Sequence, residues 1–417
     1  MSKPKHTKLG THLDVITDYH ANGSYEKLKE NVKLLEEDNY AVIIRTLNFE
    51  RNDFRDDLLY VTKEAYDFLE KSYVIPNDIL MNKISNPGRT FIMPDMHRPV
   101  TCGMNLFLIR FKDTVNQRYM YYNMKNVEKY IRSLGHGTTT KTITKDEVRA
   151  IDLWIHNKEE QDKIEAFLTG IDNKIANNYE IGFELVDTIR DLYNYWFVQY
   201  DFPYKDGKGY KASGGKFVKD KEAKMTYPEG WELIALKKRF NFNKGVETGK
   251  KSYQEEPSGT NVLYYRVSDL AQRKDCETYV ERSLLQDKFL TEPDVCVSFD
   301  GTVGKVDYGL NGGYSSGIKK VSDKKGVLNN AVIFAFFVSE YAQRIIKQYA
   351  TGSNILHATK SIDYMYLPYN KDVFLKFRDK ITPMFDKMLA LKRENAELTE
   401  LKQLLLPMLM NGQVILS

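Results

Sequence analysis

Apolar side chains follow a seven-residue rhythm most regularly in two long stretches, one near the middle of the chain and one near its end. Between residues 160 and 196, heptad steps select two interleaved sets, namely Ile164, Ile171, Asn178, Leu185 and Leu192, and Leu168, Ile175, Gly182, Ile189 and Trp196. Such a pattern is typical of the a and d positions of a helix that packs along another helix. Asn157 and Glu160 have the spacing of a capping box and predict where the helix begins. At about 1.5 Å per residue, this helix is on the order of 55 Å long.

A second seam of the same kind lies near the end of the chain. It runs through Ile381, Met384, Met388, Leu391, Asn395 and Leu398, and then slips to Leu401, Leu405 and Met408. Pro383 is expected to end or kink the first turns of this helix, because it lacks an N–H group and clashes with the preceding turn.

Seams of this length would leave too much apolar surface in water on an isolated helix. The simplest arrangement is an antiparallel pair of the two helices, in which Asn178 approaches Asn395. The alternative is that each helix packs on its own globular unit, and a further alternative for the two Asn is exposure at a locally open seam beside Gly182.

Four fragments of the first half of the chain recur in the second half, in the same order. "GHGTTTKTITK" at 135 to 145 parallels "ATGSNILHATK" at 350 to 360, and helix-like stretches precede both. Two predicted β-hairpins, at 74 to 90 and 290 to 306, are also parallel, as are "AVIIRTLNF" at 41 to 49 and "VLYYRVSDL" at 262 to 270. Because the offsets stay between 215 and 221 residues, the pattern indicates an internal duplication.

The resulting prediction is an α+β protein with two similar domains and a pair of long helices between them. The expected boundaries are 1–156 for the first domain, 157–199 for the first long helix, 200–227 for a linker, 228–370 for the second domain and 371–417 for the second long helix. The linker is rich in Pro, Gly and Lys, so we expect a loop or an extended crossing there.

Composition narrows the class of protein further. With 42% hydrophobic and 28% charged residues, the chain is typical of a globular protein. Its longest apolar run, residues 331–338, is too short to span a bilayer, and the N-terminus has no apolar segment that would direct export. The three scattered cysteines, Cys102, Cys276 and Cys296, favour reduced thiols in the cytoplasm.

Charge is nearly balanced, with a net charge of +4. The segment from Lys205 to Lys224 holds seven Lys against three acidic residues. It is interpreted as a flexible solvated linker, with contact to phosphate groups as the alternative.

Motifs of catalysis are weak in this sequence. Gly301, Gly304 and Lys305 lack the spacing of a phosphate-binding loop and are better explained as a hairpin turn. Asp294 and Asp323 loosely resemble a metal-dependent nuclease signature. No His pair has the spacing of a helical zinc site, and no Asp-Pro-Pro-Tyr-like tetrapeptide of a base methyltransferase is present.

Small polar and basic side chains recur in the loops of both repeats, and they are the residue types that read base edges and phosphates. Each one alone is explained equally well as a solvated loop residue, and only the recurrence in both copies favours a site. In the first repeat the candidates are Arg45, Asn82, Lys83, Ser85, Arg89, Thr138, Thr139, Thr140, Lys141 and Lys145. In the second they are Arg266, Ser298, Asp300, Thr302, Lys305, Asn354, His357 and Lys360.

Taken together, four segments make the chain resemble the specificity subunit of a type I restriction-modification system over nearly its whole length. "EEQDKIEAFLTGIDNKI" is similar to the opening of that family's first conserved helix, and "YNYWFVQYDFPY" with "GKGYKASGGK" to the linker after it. "YPEGWELIAL" resembles the start of a target-recognition domain, and "LKQLLLPMLMNGQV" the end of the last helix. The second helix lacks the Glu-Gln opening of the first.

The resemblance implies two target-recognition domains, each reading one half of a split, asymmetric site in double-stranded DNA, with the paired helices setting the gap. It implies that the chain itself has no cofactor and no catalytic or metal site. S-adenosylmethionine, ATP and Mg would be used by partners, namely two DNA adenine methyltransferase subunits and the restriction and translocase subunits. No membrane partner is implied.

Two other classes of function remain open from the residues alone. One is a metal-dependent nuclease using Asp294 and Asp323. The other is a scaffold whose duplicated units bind proteins.

Overall fold

A computed structural model describes residues 4–51, 53–55, 57–137, 140–272, 276–353, 355–414 and 416. It divides into two compact units, Met1–Lys174 with Glu397–Ser417, and Ile175–Ala396. We call these the first and the second unit. The division falls within the two long helices, so each unit contains part of both helices.

The first unit is built on two four-stranded sheets and a two-stranded ribbon. Its strands are β1 (Lys5–Lys8), β2 (Leu13–Asp18), β3 (Ala41–Ile44), β4 (Leu59–Val61), β5 (Tyr73–Val74), β6 (Ile79–Asn82), β7 (Thr90–Ile92), β8 (Val100–Cys102), β9 (Leu106–Phe111) and β10 (Asp152–Ile155). The strand orders are β2-β9-β6-β7 and β4-β3-β8-β5, and β1 pairs with β10.

The second unit repeats this plan and adds two short ribbons. Its strands are β11 (Phe217–Asp220), β12 (Met225–Pro228), β13 (Glu232–Ala235), β14 (Phe240–Lys244), β15 (Asn261–Tyr265), β16 (Tyr279–Glu281), β17 (Phe289–Leu290), β18 (Val295–Ser298), β19 (Asp300–Gly301), β20 (Val306–Asp307), β21 (Gly312–Tyr314), β22 (Ile318–Asp323), β23 (Leu356–His357) and β24 (Tyr366–Tyr369). The strand orders are β14-β22-β18-β20 and β16-β15-β21-β17, with ribbons β13-β24, β11-β12 and β19-β23.

Strand for strand, the sheets of the two units correspond. Both contain a parallel pairing at the same point of the second sheet, where Val42 lies opposite Val100 and Tyr264 opposite Gly313. The predicted hairpins are β6 with β7 and β18 with β20, both antiparallel. The structure therefore confirms the α+β class and the internal duplication.

Helices connect and cover these sheets. They are α1 (Leu9–His12), α2 (Tyr25–Asn31), α3 (Thr46–Glu50), α4 (Lys63–Phe68), α5 (Gln117–Asn126), α6 (Glu128–Ser133), α7 (Lys145–Ala150), α8 (Lys158–Tyr193), α9 (Leu236–Arg239), α10 (Val267–Gln272), α11 (Asn330–Val338), α12 (Glu340–Gln348) and α13 (Lys371–Met410). Short 3-10 turns occupy Tyr19–Asn22, Glu70–Ser72, Lys205–Gly207, Lys250–Ser252, Arg282–Leu285 and Thr359–Tyr364, and a π-helical turn occupies Asn194–Val198. Among the described residues, no helix is long and apolar enough to cross a membrane.

Helix α8 begins where its sequence predicts, because the Asn157 side chain accepts a hydrogen bond from the Glu160 N–H at 3.0 Å. Within the second unit, α8 and α13 pack antiparallel. Asn178 Nδ2 donates to Asn395 Oδ1 at 2.8 Å, and further along α8 the Tyr193 ring lies 5.8 Å from that of Phe377. The predicted antiparallel pair and the approach of the two Asn are thus confirmed.

Within the first unit, the two long helices join one hydrophobic core. Ile164 and Leu168 of α8 lie in the same buried cluster as Leu409 and Met410 of α13. Because Leu153 of the β1-β10 ribbon belongs to that cluster too, the two helix ends contribute to the same core as the domain they flank.

Two expectations for the second helix, an end at Pro383 and a slip of the seam at Leu401, were wrong. Pro383 does not end α13, which is helical from Lys371 to Met410. Ile381 and Phe385 beside the proline are buried, so tertiary packing keeps the helix continuous there although Pro383 has no N–H to donate.

The seam also continues without a slip, since Leu401 is 42% exposed. Position 402, one heptad after Asn395, carries a lysine that looks polar in the sequence. The Lys402 side chain extends out of the seam, and its ammonium bonds Asp172 at 2.5 Å within the first unit. Leu405 and Leu409 then follow at heptad spacing, and both belong to the core of that unit.

The segment between the long helix and the second domain is folded, which corrects the expectation of a loop or extended crossing. Strands β11 and β12 form an antiparallel hairpin in which Phe217 lies opposite Pro228. Upstream, Asp201 accepts a hydrogen bond from the Ala212 N–H at 2.9 Å. A Cβ on Gly209 would lie 2.0 Å from the Asp201 carboxylate, so a larger residue there would displace this side chain from its hydrogen bond.

Candidate nucleic-acid interface

Each unit presents a pair of loops in which the candidate residues are concentrated. In the first unit they are the turn 82–89 and the loop 136–145, and in the second the turn 298–305 and the loop 351–360. We call each pair a loop edge. Both turns close in the same way: Gly88 N–H donates to the Asn82 carbonyl at 2.9 Å, and Gly304 N–H to the Ser298 carbonyl at 2.8 Å.

Backbone conformation repeats along the two loop edges. Gly137 and Gly352, which begin the repeated fragment of the sequence, both have φ of 116°. A Cβ would lie 2.3 Å from the Thr140 carbonyl oxygen in one and 2.1 Å from that of Ile355 in the other. The fragment therefore recurs because both loops need a glycine to turn back on themselves.

Turn and loop are joined to each other in both units. Ile143 N–H donates to the Lys83 carbonyl at 3.0 Å, and Ala358 N–H to the Phe299 carbonyl at 2.7 Å. These bonds make Lys83 and Phe299 equivalent positions of the repeat. They also bring side chains that are about 60 residues apart in the sequence to one edge of each domain.

Several predicted residues of the first loop edge are accessible. Ser85, Thr140 and Lys141 are exposed. Arg89 is half-buried, 3.7 Å from Glu50. Arg45 is also half-buried and hydrogen-bonds the Asp57 carbonyl oxygen. The predicted residues Thr138 and Thr139 lie outside the described part of the chain.

The second loop edge has a similar exposed set. Thr302, Lys305, His357 and Lys360 are exposed. Asp300 is half-buried and lies 2.7 Å from His357 Nδ1. The Arg266 guanidinium bonds the Asp269 carboxylate at 3.1 Å. The predicted residue Asn354 lies outside the described residues.

Three candidates do not have the accessible position that their residue types suggested. Asn82 is buried and accepts a hydrogen bond from the Thr46 hydroxyl at 2.8 Å. Ser298 is fully buried and donates to the Thr302 carbonyl at 2.6 Å. Lys83 is 8% exposed and is ion-paired. Asn82 and Ser298 are the last residues of β6 and β18, and Lys83 directly follows β6. The sheet still covers the start of each turn there, so these side chains shape the loops from inside.

An acidic residue that the sequence did not single out organises the first loop edge. Asp18 bonds Lys83 Nζ at 2.6 Å through one carboxylate oxygen and Lys145 Nζ at 2.8 Å through the other. Burial alone would raise the pKa of Asp18, but the hydrogen bonds from Lys145 and Lys83 hold it below its ordinary value. Lys145, a predicted contact residue, is therefore half-buried and neutralised within the domain.

Two lysines of the second unit were also missed. Lys244 ends β14 and Lys319 lies opposite it on β22. Neither lies in a fragment that repeats in the sequence. Only the strand register shows that Lys244 takes the place of Asp18 and Lys319 the place of Phe107.

The two carboxylates of the nuclease alternative lie in separate ion pairs. Asp294 bonds Lys320 Nζ at 2.7 Å, and Asp323 lies 2.7 Å from Arg239 in a fully buried pair. Within the described ranges, no group of three or more His, Cys, Asp or Glu side chains is arranged to hold a metal ion.

Comparison with known proteins places the chain in a class. A family model described as "Type I restriction modification DNA specificity domain" matches residues 20–185. The specificity subunit of the type I restriction enzyme HindI of Haemophilus influenzae is 25% identical over 342 residues, 66% of this chain and 72% of that protein. The MjaIX specificity subunit of Methanocaldococcus jannaschii is 22% identical over 339 residues, 76% of this chain and 73% of that protein. The chain is thus similar to the specificity subunits of type I restriction-modification systems, and residues 20–185 match the DNA specificity domain of that family.

Solved structures of such subunits align along nearly the full length. The S subunit from M. genitalium shares 16% identity with a TM-score of 0.46, covering 98% of this chain and 99% of that one. The HsdS subunit from Thermoanaerobacter tengcongensis shares 13% identity with a TM-score of 0.34, covering 98% and 97%.

Proposed function

We propose that this chain reads a bipartite, asymmetric DNA target, with each loop edge reading one half of it. The observation that carries the proposal is the duplication of the loop edge down to backbone conformation, with different side chains on the two copies. The same strand order and the same loop conformations place the two loop edges at equivalent positions of the repeat. Different side chains, such as Arg89 against Lys305, present different donors to the bases.

The exposed side chains of the loop edges suit this task. Ser and Thr hydroxyls bond either bases or phosphates, and Lys pairs with guanine or phosphate. Ser85, Thr140 and Lys141 offer these groups in the first unit, and Thr302 and Lys305 in the second.

Catalysis belongs, in this proposal, to partner subunits. Two DNA adenine methyltransferase subunits would use S-adenosylmethionine, and restriction and translocase subunits would use ATP and Mg. Large apolar side chains on the outside of the long helices support protein docking there. Phe167 of α8 and Leu401 and Leu404 of α13 are 37%, 42% and 63% exposed, and apolar side chains in water favour an interface.

The test exchanges one domain and reads the methylated motif. Residues 8–156 are replaced by the matching unit of a relative, and the chain is expressed with its methyltransferase in cells whose methylome is sequenced. We expect a split adenine-methylation motif in which only one half changes, because base contacts specify and phosphate contacts position.

The matched control replaces the second domain, residues 228–370, and should change the other half. A motif that changes in both halves, or in neither, would refute the division of labour. Gel shifts of the parent chain with its methyltransferase complete the test, since failure to bind DNA would favour a protein-binding scaffold.

A further inference from the structure

The two loop edges contain the same cation–aromatic contact with its partners exchanged. In the first unit, Lys83 Nζ lies 5.7 Å from the centroid of the Phe107 ring. In the second, Lys319 Nζ lies 5.9 Å from that of Phe299. Phe299 takes the place of Lys83 in the repeat, and Lys319 that of Phe107. One ammonium is therefore retained at this point of each sheet, although it comes from a different strand.

The counter-charge of that ammonium differs between the units. In the first unit Asp18, opposite Phe107 on the neighbouring strand, neutralises Lys83. In the second unit the position of Asp18 is occupied by Lys244, directly opposite Lys319. Like charges directly opposite each other on adjacent strands are destabilising.

Lys319 lacks the ion pair that Lys83 has. It is 9% exposed, and within the described residues no carboxylate lies at ion-pair distance from its ammonium. Burial lowers the pKa of Lys319, and neighbouring Lys244 lowers it further, whereas Asp300 acts in the opposite direction. Asp300 is itself paired with His357 at 2.7 Å. A desolvated ammonium that faces a second cation is stabilised when an anion joins it.

We propose that the second unit binds a DNA backbone phosphate at Lys319 and Lys244, in the place that the Asp18 carboxylate fills in the first unit. This inference rests on the proposed function and adds the ligand group and the residues. Lys360 contributes a further positive charge. It occupies the position of the repeat that Lys145 has in the first unit, two residues after Ala358 and Ile143 respectively. In the first unit Lys145 bonds Asp18. The first unit is closed to a phosphate at this point, since its carboxylate already occupies the site.

The consequence is an asymmetry in how the two halves of the target are held. The second unit gains a sequence-independent contact that the first unit lacks. Contacts of this kind make affinity depend on salt, with a slope of log affinity against log salt of about −0.9 for each neutralised phosphate.

The experiment measures binding of target DNA by the complex with the methyltransferase over a range of salt. Lys319→Gln should make the slope less steep by about 0.9, so that its affinity deficit relative to wild type shrinks about 3.5-fold between 50 and 200 mM salt. The matched control is Lys320→Gln on the same strand. Lys320 projects to the opposite face and pairs with Asp294, so the slope should stay that of wild type.

A second variant protects the test against misfolding of the first. Lys244→Asp restores the carboxylate of the first unit, so we expect a higher unfolding temperature together with the same loss of slope. DNA carrying single neutral methylphosphonates should show one position in the second half-site where the lost charge and Lys319→Gln are not additive.

Unchanged slopes in both variants, or additive effects at every phosphate, would overturn the inference. Stabilisation by inorganic phosphate over chloride at equal ionic strength, with unchanged slopes on DNA, would mean that the site takes a free anion and would also overturn it. If the wild-type complex does not bind a split site at all, the proposed function fails instead.

Discussion

Replacement of the paired asparagines in the helix seam tests whether they fix the register of the two long helices. Asn178 and Asn395 are 1% and 5% exposed. Asn178 Nδ2 donates to Asn395 Oδ1 at 2.8 Å and to Glu394 Oε2 at 2.9 Å, and Asn395 Nδ2 reaches the Ile175 carbonyl at 3.4 Å. The perturbation is Asn178→Leu, alone and with Asn395→Leu.

The magnitude follows from these contacts. Asn178→Leu removes both bonds of its amide and leaves the Asn395 carbonyl buried beside an apolar group, which costs about 1–3 kcal/mol. The double variant places two apolar side chains at a positions of the seam, where they suit the packing. We expect it to recover most of the loss, with a coupling energy of about 1–2 kcal/mol in the double-mutant cycle.

The assay is urea unfolding of the full chain, followed by far-UV circular dichroism, for the four members of the cycle. Asn177→Leu is the matched control, because Asn177 is the exposed neighbour on the same helix. It should change the free energy of unfolding by less than about 0.5 kcal/mol. If the effects of Asn178→Leu and Asn395→Leu simply add, the two amides do not stabilise each other and the reasoning is refuted.

Three further predictions concern the seam and the first loop edge. Gly182→Ala should stabilise the chain by about 0.5–1 kcal/mol, as should Gly170→Ala, because a Cβ at either position meets nothing within 4 Å. If thermal unfolding shows that Gly182→Ala destabilises the chain while Gly170→Ala stabilises it, the seam needs the glycine at position 182. Since the pKa of Asp18 is lowered in the folded chain, its stabilising contribution is present above its ordinary pKa and is lost as pH falls through the lower folded value. Between roughly pH 5 and pH 2, the free energy of unfolding should therefore fall less in Asp18→Asn than in wild type. Equal losses would contradict the ion-pair assignment. Seven residues inserted in register into both α8 and α13, about 10 Å of helix, should lengthen the gap of the methylated motif by roughly three base pairs, and an unchanged gap with retained methylation would show that the helices are no ruler.

The repeated fragments and the heptad seam were predictable because both are local properties of the chain. A heptad pattern needs only the 3.6-residue period of the helix, and it identified the buried faces of α8 and α13 and the approach of Asn178 to Asn395. The glycines of the repeated loops were equally readable, because a left-handed turn needs glycine wherever it occurs. Of the candidate site, the exposed residues such as Thr140 and Lys305 were correctly placed in loops, while their contacts with DNA stay a prediction.

What the sequence could not determine depends on partners that meet only in the folded chain. The sequence predicted a slip of the seam to Leu401, but Lys402 takes the seam position because Asp172 on the antiparallel helix pairs with its ammonium. Asp18 lies 65 residues from Lys83 and 127 from Lys145, so nothing local marks the three as one cluster. Pro383 was expected to end or kink α13 because of its missing N–H. That rule considers single residues and does not include the packing of Ile381 and Phe385. Periodicity and the repeated fragments thus determined the long helices and the duplication. The burial of Lys83 and the exchange of Asp18 for Lys244 were decided by strand register, because register alone determines which charges lie opposite each other.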